Sequence, residues 1–208
     1  MPGFVWAAQA LLCDSQGRRK WQGRRRPNAG LSQPSQALAR LWYVLALSLS
    51  FSALCLALNT LYIQALAAGL PERVATHFGF DGRPDGWMSR AGFTRFAVAF
   101  PVAIALFVLG LGYCARYTDP NSLHVANAAY WRSSEHYVQA CDRLLAALGV
   151  LVGGLTVFLA FVWHVMARAQ TQEPVRIDKS ALIVAALPFA VFVAGWCIWL
   201  GRLYDLPK

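Results

Sequence analysis

Charge is what this chain has least of. Asp, Glu, Lys and Arg make up 14% of its 208 residues, against about 25% in ordinary soluble domains. Hydrophobic residues reach 57% and mean hydropathy is +0.42. That balance argues against a soluble core and for an integral membrane protein. The scarcity is also local. Residues 41–68, 96–115, 144–167 and 181–201 contain no Asp, Glu, Lys or Arg. Proton- and ion-coupled transporters place such groups near mid-membrane, so a pump is disfavoured. The five cysteines, Cys13, Cys55, Cys114, Cys141 and Cys197, are odd in number and show no CxxC or CxxH spacing. A disulfide framework or a cysteine zinc site is therefore not expected. Serine-nucleophile motifs, HExxH and a phosphate-cradling glycine loop are missing too, which leans against an enzyme.

What is present is four apolar runs. The first, 41–68, would extend about 42 Å as a helix, more than the roughly 30 Å hydrocarbon core, and must tilt or protrude. Asn59, Thr60 and Gln64 lie in its second half. The third run carries Gly149-x-x-x-Gly153, a pattern for close helix packing, with dimerisation as the second reading. The expected fold is all-α: a four-transmembrane-helix bundle. Ahead of it, residues 1–39 hold six clustered Lys and Arg among Gly, Pro, Ser and Gln. Such a segment cannot build a core and is expected to be a disordered cytoplasmic tail attracted to anionic lipid headgroups. The net charge of +9 is thus assigned to lipid rather than to nucleic acid, which would want a folded basic module with base-reading side chains. With the N-terminus inside, twelve of the nineteen Lys and Arg fall on the inner side. The positive-inside rule then puts both termini in the cytoplasm and residues 70–90 outside.

The polar run 70–90, LPERVATHFGFDGRPDGWMSR, is the natural place for a site. Gly79, Gly82, Pro84 and Gly86 break it into tight turns. Its charges balance: Glu72, Asp81 and Asp85 against Arg73, Arg83 and Arg90, with His77 among them. Candidate ligand-binding residues are His77, Asp81, Asp85 and Asn59. His77 and His164 with one carboxylate are a candidate metal site. The plainer role for His77 is a hydrogen bond that pins the loop to the helix ends. Asn59, Gln64 and His164 have interhelical hydrogen bonding as their ordinary explanation. No cofactor is expected. On the other side, Tyr130, Trp131 and Tyr137 read as anchors of an interfacial amphipathic helix near 130–142.

Two of these stretches resemble one family. Pro71, Val74, His77, Gly82, Gly86 and Ser89 follow the loop pattern of domain-of-unknown-function family 1648, a bacterial membrane family. Asn127-Ala128-Ala129-Tyr130-Trp131 is similar to its later Asn-x-x-Tyr-Trp motif. The resemblance spans residues 40–145, with the outer loop at 70–90 and an inner connection at 117–143, followed by two further helices in 144–208. It implies a bacterial inner-membrane protein of undefined molecular activity. SdpI-type immunity proteins share the domain, but their C-terminal Asn-Arg…Gly-x-Arg-Thr segment is absent here. The functional expectation is non-enzymatic binding or sensing of an external peptide or small molecule through the loop. The alternatives are a metal-assisted membrane enzyme or small transporter, and a structural or assembly subunit.

Overall fold

The computed structural model describes residues 34–206. The basic tail expected over 1–39 lies outside the described residues as far as residue 33, and helix α1 begins at Pro34. The order is α1 (Pro34–Ala67), β1 (Arg73–Phe78), β2 (Pro84–Ser89), α2 (Arg90–Cys114), a short α3 (Ala128–Trp131), α4 (Tyr137–Ala169) and α5 (Lys179–Arg202). Four helices are long and apolar enough to cross a membrane: Leu41–Ala67, Arg90–Tyr117, Tyr137–Ala169 and Lys179–Arg202. This is a multi-pass membrane protein with a four-helix bundle. Many large apolar side chains on these helices are exposed, including Leu47, Leu61, Leu106, Phe107 and Val191, as expected of surfaces that face lipid.

Helix α4 is central and packs against α1, α2 and α5. Its glycines decide how closely. A Cβ at Gly149 would sit 3.2 Å from the backbone of Ser48 on α1, and one at Gly153 would meet the Phe51 ring. Ser52 Oγ donates to the Gly149 carbonyl. Both glycines therefore serve packing of α4 against α1 within one chain, where van der Waals contact and interhelical hydrogen bonds supply the attraction. Gly149→Leu is expected to cost about 1–3 kcal/mol by overpacking, measured as denaturant unfolding in micelles. An unchanged midpoint would show that the seam is loose. On the other face of α4, Gly154 admits Phe192 of α5. Phe158 stacks on Phe189 at 4.4 Å, and Trp196 Nε1 donates to Ala147 O at 2.8 Å.

The polar loop is a β-hairpin. β1 and β2 pair antiparallel, with Val74 opposite Met88 and His77 opposite Gly86. The turn closes through Gly82 N donating to Gly79 O and Gly79 N donating to Arg83 O. Gly82 has φ +80, a left-handed conformation that glycine adopts freely. Asp81 Oδ1 accepts from Arg83 N at 3.0 Å and stiffens the same turn. Val74 and Ala75 are fully buried. Val74 packs with Ile63, Phe93, Ala97, Trp163 and Met166, so the hairpin caps one end of the bundle.

At the opposite end, the segment expected to lie as one interfacial helix over 130–142 is divided. α3 has four residues, and Tyr137 already begins α4. Trp131 is wholly buried against the protein. Its indole donates to Tyr204 O at 2.8 Å, and Asn127 Nδ2 donates to the same oxygen at 3.0 Å. The Asn-x-x-Tyr-Trp stretch thus caps the end of α5, where helical carbonyls lack intrahelical partners.

Candidate functional site

The hairpin, the end of α4 and the start of α5 border a half-open cavity of about 510 Å³. Val162, Met166, Ile177 and Leu182 supply apolar walls, while His77, Asp85 and Lys179 supply polar groups. Each is positioned by its element. His77 lies on β1 and Asp85 on β2, and His77 Nδ1 hydrogen-bonds Asp85 Oδ1 across the ladder. Gly86 makes the pairing fit: a Cβ there would come within 2.8 Å of the His77 Cβ. Both side chains stay accessible, at 76% and 53% exposure. Screening by solvent keeps such a pair weak in stability terms, so its value lies in presenting a donor and a carboxylate at the rim. Lys179 Nζ donates to the Phe80 carbonyl and ties α5 to the turn. Ile177 N donates to Gly82 O at 3.1 Å, a second tie.

The edge of β1 is closed by a side chain. Gln170 Oε1 accepts from Ala75 N at 2.9 Å, and Gln170 Nε2 donates to Ala75 O at 3.0 Å. One amide thereby satisfies a residue of an edge strand that would otherwise present bare backbone groups. Asp178 caps α5 through Ser180 N and Ala181 N. Hydrogen bonds from the Ser180 hydroxyl and these amides hold its carboxyl below the usual range. It therefore stays ionised at the positive end of the helix.

Of the residues singled out in the sequence, the structure brings two together here, His77 and Asp85. Asp81 is in the turn, 3.5 Å from Arg83 Nε, and is not among the lining residues. Asn59 is buried inside the bundle. Its Nδ2 donates to Ala97 O at 3.3 Å, and its Oδ1 has no hydrogen-bond partner. His164 faces Tyr62 of α1, with Nδ1 and the phenolic oxygen 2.5 Å apart. The two histidines have different partners. Among the described residues, no three His, Cys, Asp or Glu side chains gather to hold a metal ion. Lys179, Gln170 and Ile177 were not foreseen. They lie about ninety residues beyond the hairpin in sequence, and only docking of the hairpin makes them neighbours. A weak signal existed in Asp178-Lys179-Ser180, a helix-start pattern.

Residues 54–105 match the domain of unknown function DUF1648. The chain resembles that family over about a quarter of its length, from the second half of α1 through the hairpin into α2. The DUF1648 stretch contains His77, Asp81, Asp85 and Asn59. It leaves Lys179, Gln170 and His164 outside, along with the Asn127–Trp131 motif. The cavity is therefore composite, one wall from the DUF1648 stretch and the other from α4 and α5. No curated protein and no solved structure matches the chain.

Proposed function

We propose that this protein sits in the bacterial inner membrane with both termini in the cytoplasm, and that it binds an external amphipathic ligand in the cavity under the hairpin. The excess of Lys and Arg outside the hairpin side supports the orientation. The cavity carries the functional reading. Its apolar walls suit an aliphatic or aromatic group, and a few convergent polar groups fix orientation, the usual composition of a small-molecule or peptide site. Asp85 offers a carboxylate to a cationic group, in competition with His77, and the fully exposed Phe80 at the turn extends the apolar surface past the rim. A short peptide with one large apolar and one basic residue fits this chemistry. The reading is binding or sensing rather than catalysis, because His77 and Asp85 are paired with one another and the Lys179 amine is engaged by the Phe80 carbonyl.

The test uses the full chain in lipid nanodiscs, screened against short amphipathic peptides of cationic, neutral and anionic type. A cationic peptide is expected to bind. His77→Ala with Asp85→Ala should weaken it about tenfold or more, and Met166→Trp, which fills the cavity, should do the same. Binding indifferent to all three substitutions overturns the proposal.

A further inference from the structure

A second cleft, of about 760 Å³, opens between the hairpin-side end of α1 and the start of α2. Gln64, Ala67 and Ala68 form one wall, and Arg90, Ala91, Thr94 and Arg95 the other. The alanines leave it wide. We infer that this cleft is a phospholipid site in which Arg90 and Arg95 hold the headgroup phosphate of an anionic lipid.

Arg95 is the strongest reason. It sits five residues into α2, roughly 7–8 Å from the helix start at 1.5 Å per residue, exposed and immediately before the charge-free run 96–115. A guanidinium at the edge of an apolar run lies at headgroup level, where an anionic lipid phosphate supplies the counter-charge. Among the described residues, the ion pairs are His77–Asp85, Arg83–Asp81 and Arg116–Asp142; none involves Arg90 or Arg95. Arg95 spends only its Nε–H, on Ala91 O at 3.2 Å. That bond turns the side chain back toward the helix start, the snorkelling direction, and leaves both Nη groups as donors. Arg90 donates from Nη1 to Leu70 O at 3.1 Å and keeps its other donors. The first turn of α2 contains no acidic residue, and its N-cap is the neutral Ser89, whose Oγ accepts from Gly92 N at 3.1 Å, so no anionic side chain offsets the positive helix end. Two guanidiniums at one helix end and no carboxylate in the lining match a phosphate, which arginine binds through paired N–H donors.

The occupant is a lipid rather than free phosphate because of what lies below the cleft. Leu54, Leu58 and Leu61 are spaced i, i+4, i+7 on α1 and all exposed. They form an apolar stripe leading up to Gln64, along which an acyl chain can lie. The lipid would also bridge α1 and α2 at an end where small residues leave them apart.

Native mass spectrometry of the full chain, released from micelles doped with defined lipids, tests the assignment. Phosphatidylglycerol is expected to be retained about tenfold more than phosphatidylcholine at equal dose. Arg95→Gln should abolish that preference, and Ala91→Leu, which fills the cleft without removing charge, should reduce it. Because Arg90 also holds Leu70, Arg95→Gln is the primary variant and circular dichroism checks its helicity. Excess inorganic phosphate should not displace the lipid. Equal retention of both lipids, retention unchanged in Arg95→Gln and Ala91→Leu, or displacement by inorganic phosphate would each overturn the proposal.

Discussion

Replacing Asp142 by alanine is expected to destabilise the bundle by about 3–5 kcal/mol, the usual cost of breaking a buried ion pair on one side. Asp142 lies on α4 one turn past its start, and its side chain is 8% exposed; its partner Arg116 follows the end of α2 and is 22% exposed. The pair hydrogen-bonds directly through Arg116 Nη2 and Asp142 Oδ1, while Arg116 Nε is buried with no partner. Without the carboxylate, the guanidinium would be left in a low-dielectric boundary with nothing to neutralise it. Neighbouring contacts would strain as well, since Tyr137 of α4 donates to Ala115 O at 2.7 Å and holds the same junction. A double variant, Arg116→Met with Asp142→Leu, should recover most of the loss, because apolar side chains of similar volume carry no desolvation cost. Denaturant unfolding of the single and double variants in nanodiscs checks both halves. If Asp142→Ala stayed within about 1 kcal/mol of the parent, the pair would be a solvated surface contact.

Trp131→Ala should cost a comparable amount, about 3–5 kcal/mol. The indole is fully buried against Ala140 and Tyr204 and lies 4.4 Å beneath the Arg143 guanidinium. Arg143 in turn donates to Leu203 O, and Tyr204 OH donates to Ala140 O at 3.1 Å. Burial pushes the Tyr204 phenol up to about 12, so it remains a donor at any physiological pH. Removing Trp131 leaves a cavity and frees the carbonyl of Tyr204 from its indole donor. Trp131→Phe keeps most of the volume and loses the hydrogen bond, so its cost should be about 1–3 kcal/mol. Limited proteolysis should show the C-terminal end of α5 opening before the rest of the bundle. Simultaneous loss of every helix would instead mean that this cap is not a separable unit.

Both predictions concern residues that sequence reasoning placed elsewhere. Asp142 stood outside the third charge-free run, which begins at 144, and the helix continues seven residues further back to Tyr137. Hydropathy windows detect the apolar centre of a span and stop where charge appears, whereas a helix continues wherever its backbone hydrogen bonds continue. Trp131 looked like an interfacial anchor because tryptophan is common at membrane boundaries; its burial depends on the end of α5, some seventy residues later. The hairpin was legible as a turn-rich unit from Gly79, Gly82, Pro84 and Gly86. Its strands were not, since Arg73–Phe78 and Pro84–Ser89 alternate only weakly and owe their pairing to the helices beneath.

From composition and order alone came the membrane, the number of spans, and the polar unit between the first two that carries His77 and Asp85. Those properties are sums over neighbouring residues: water and lipid sort apolar runs by length and charge, whatever they later touch. Tertiary structure alone decided that Lys179 and Gln170 join the hairpin, that His164 turns to Tyr62, and that Arg116 meets Asp142. Contacts between residues far apart in the chain depend on how helices rotate and cross, and small residues such as Gly149 and Gly153 set that geometry without announcing which helix will fill the space.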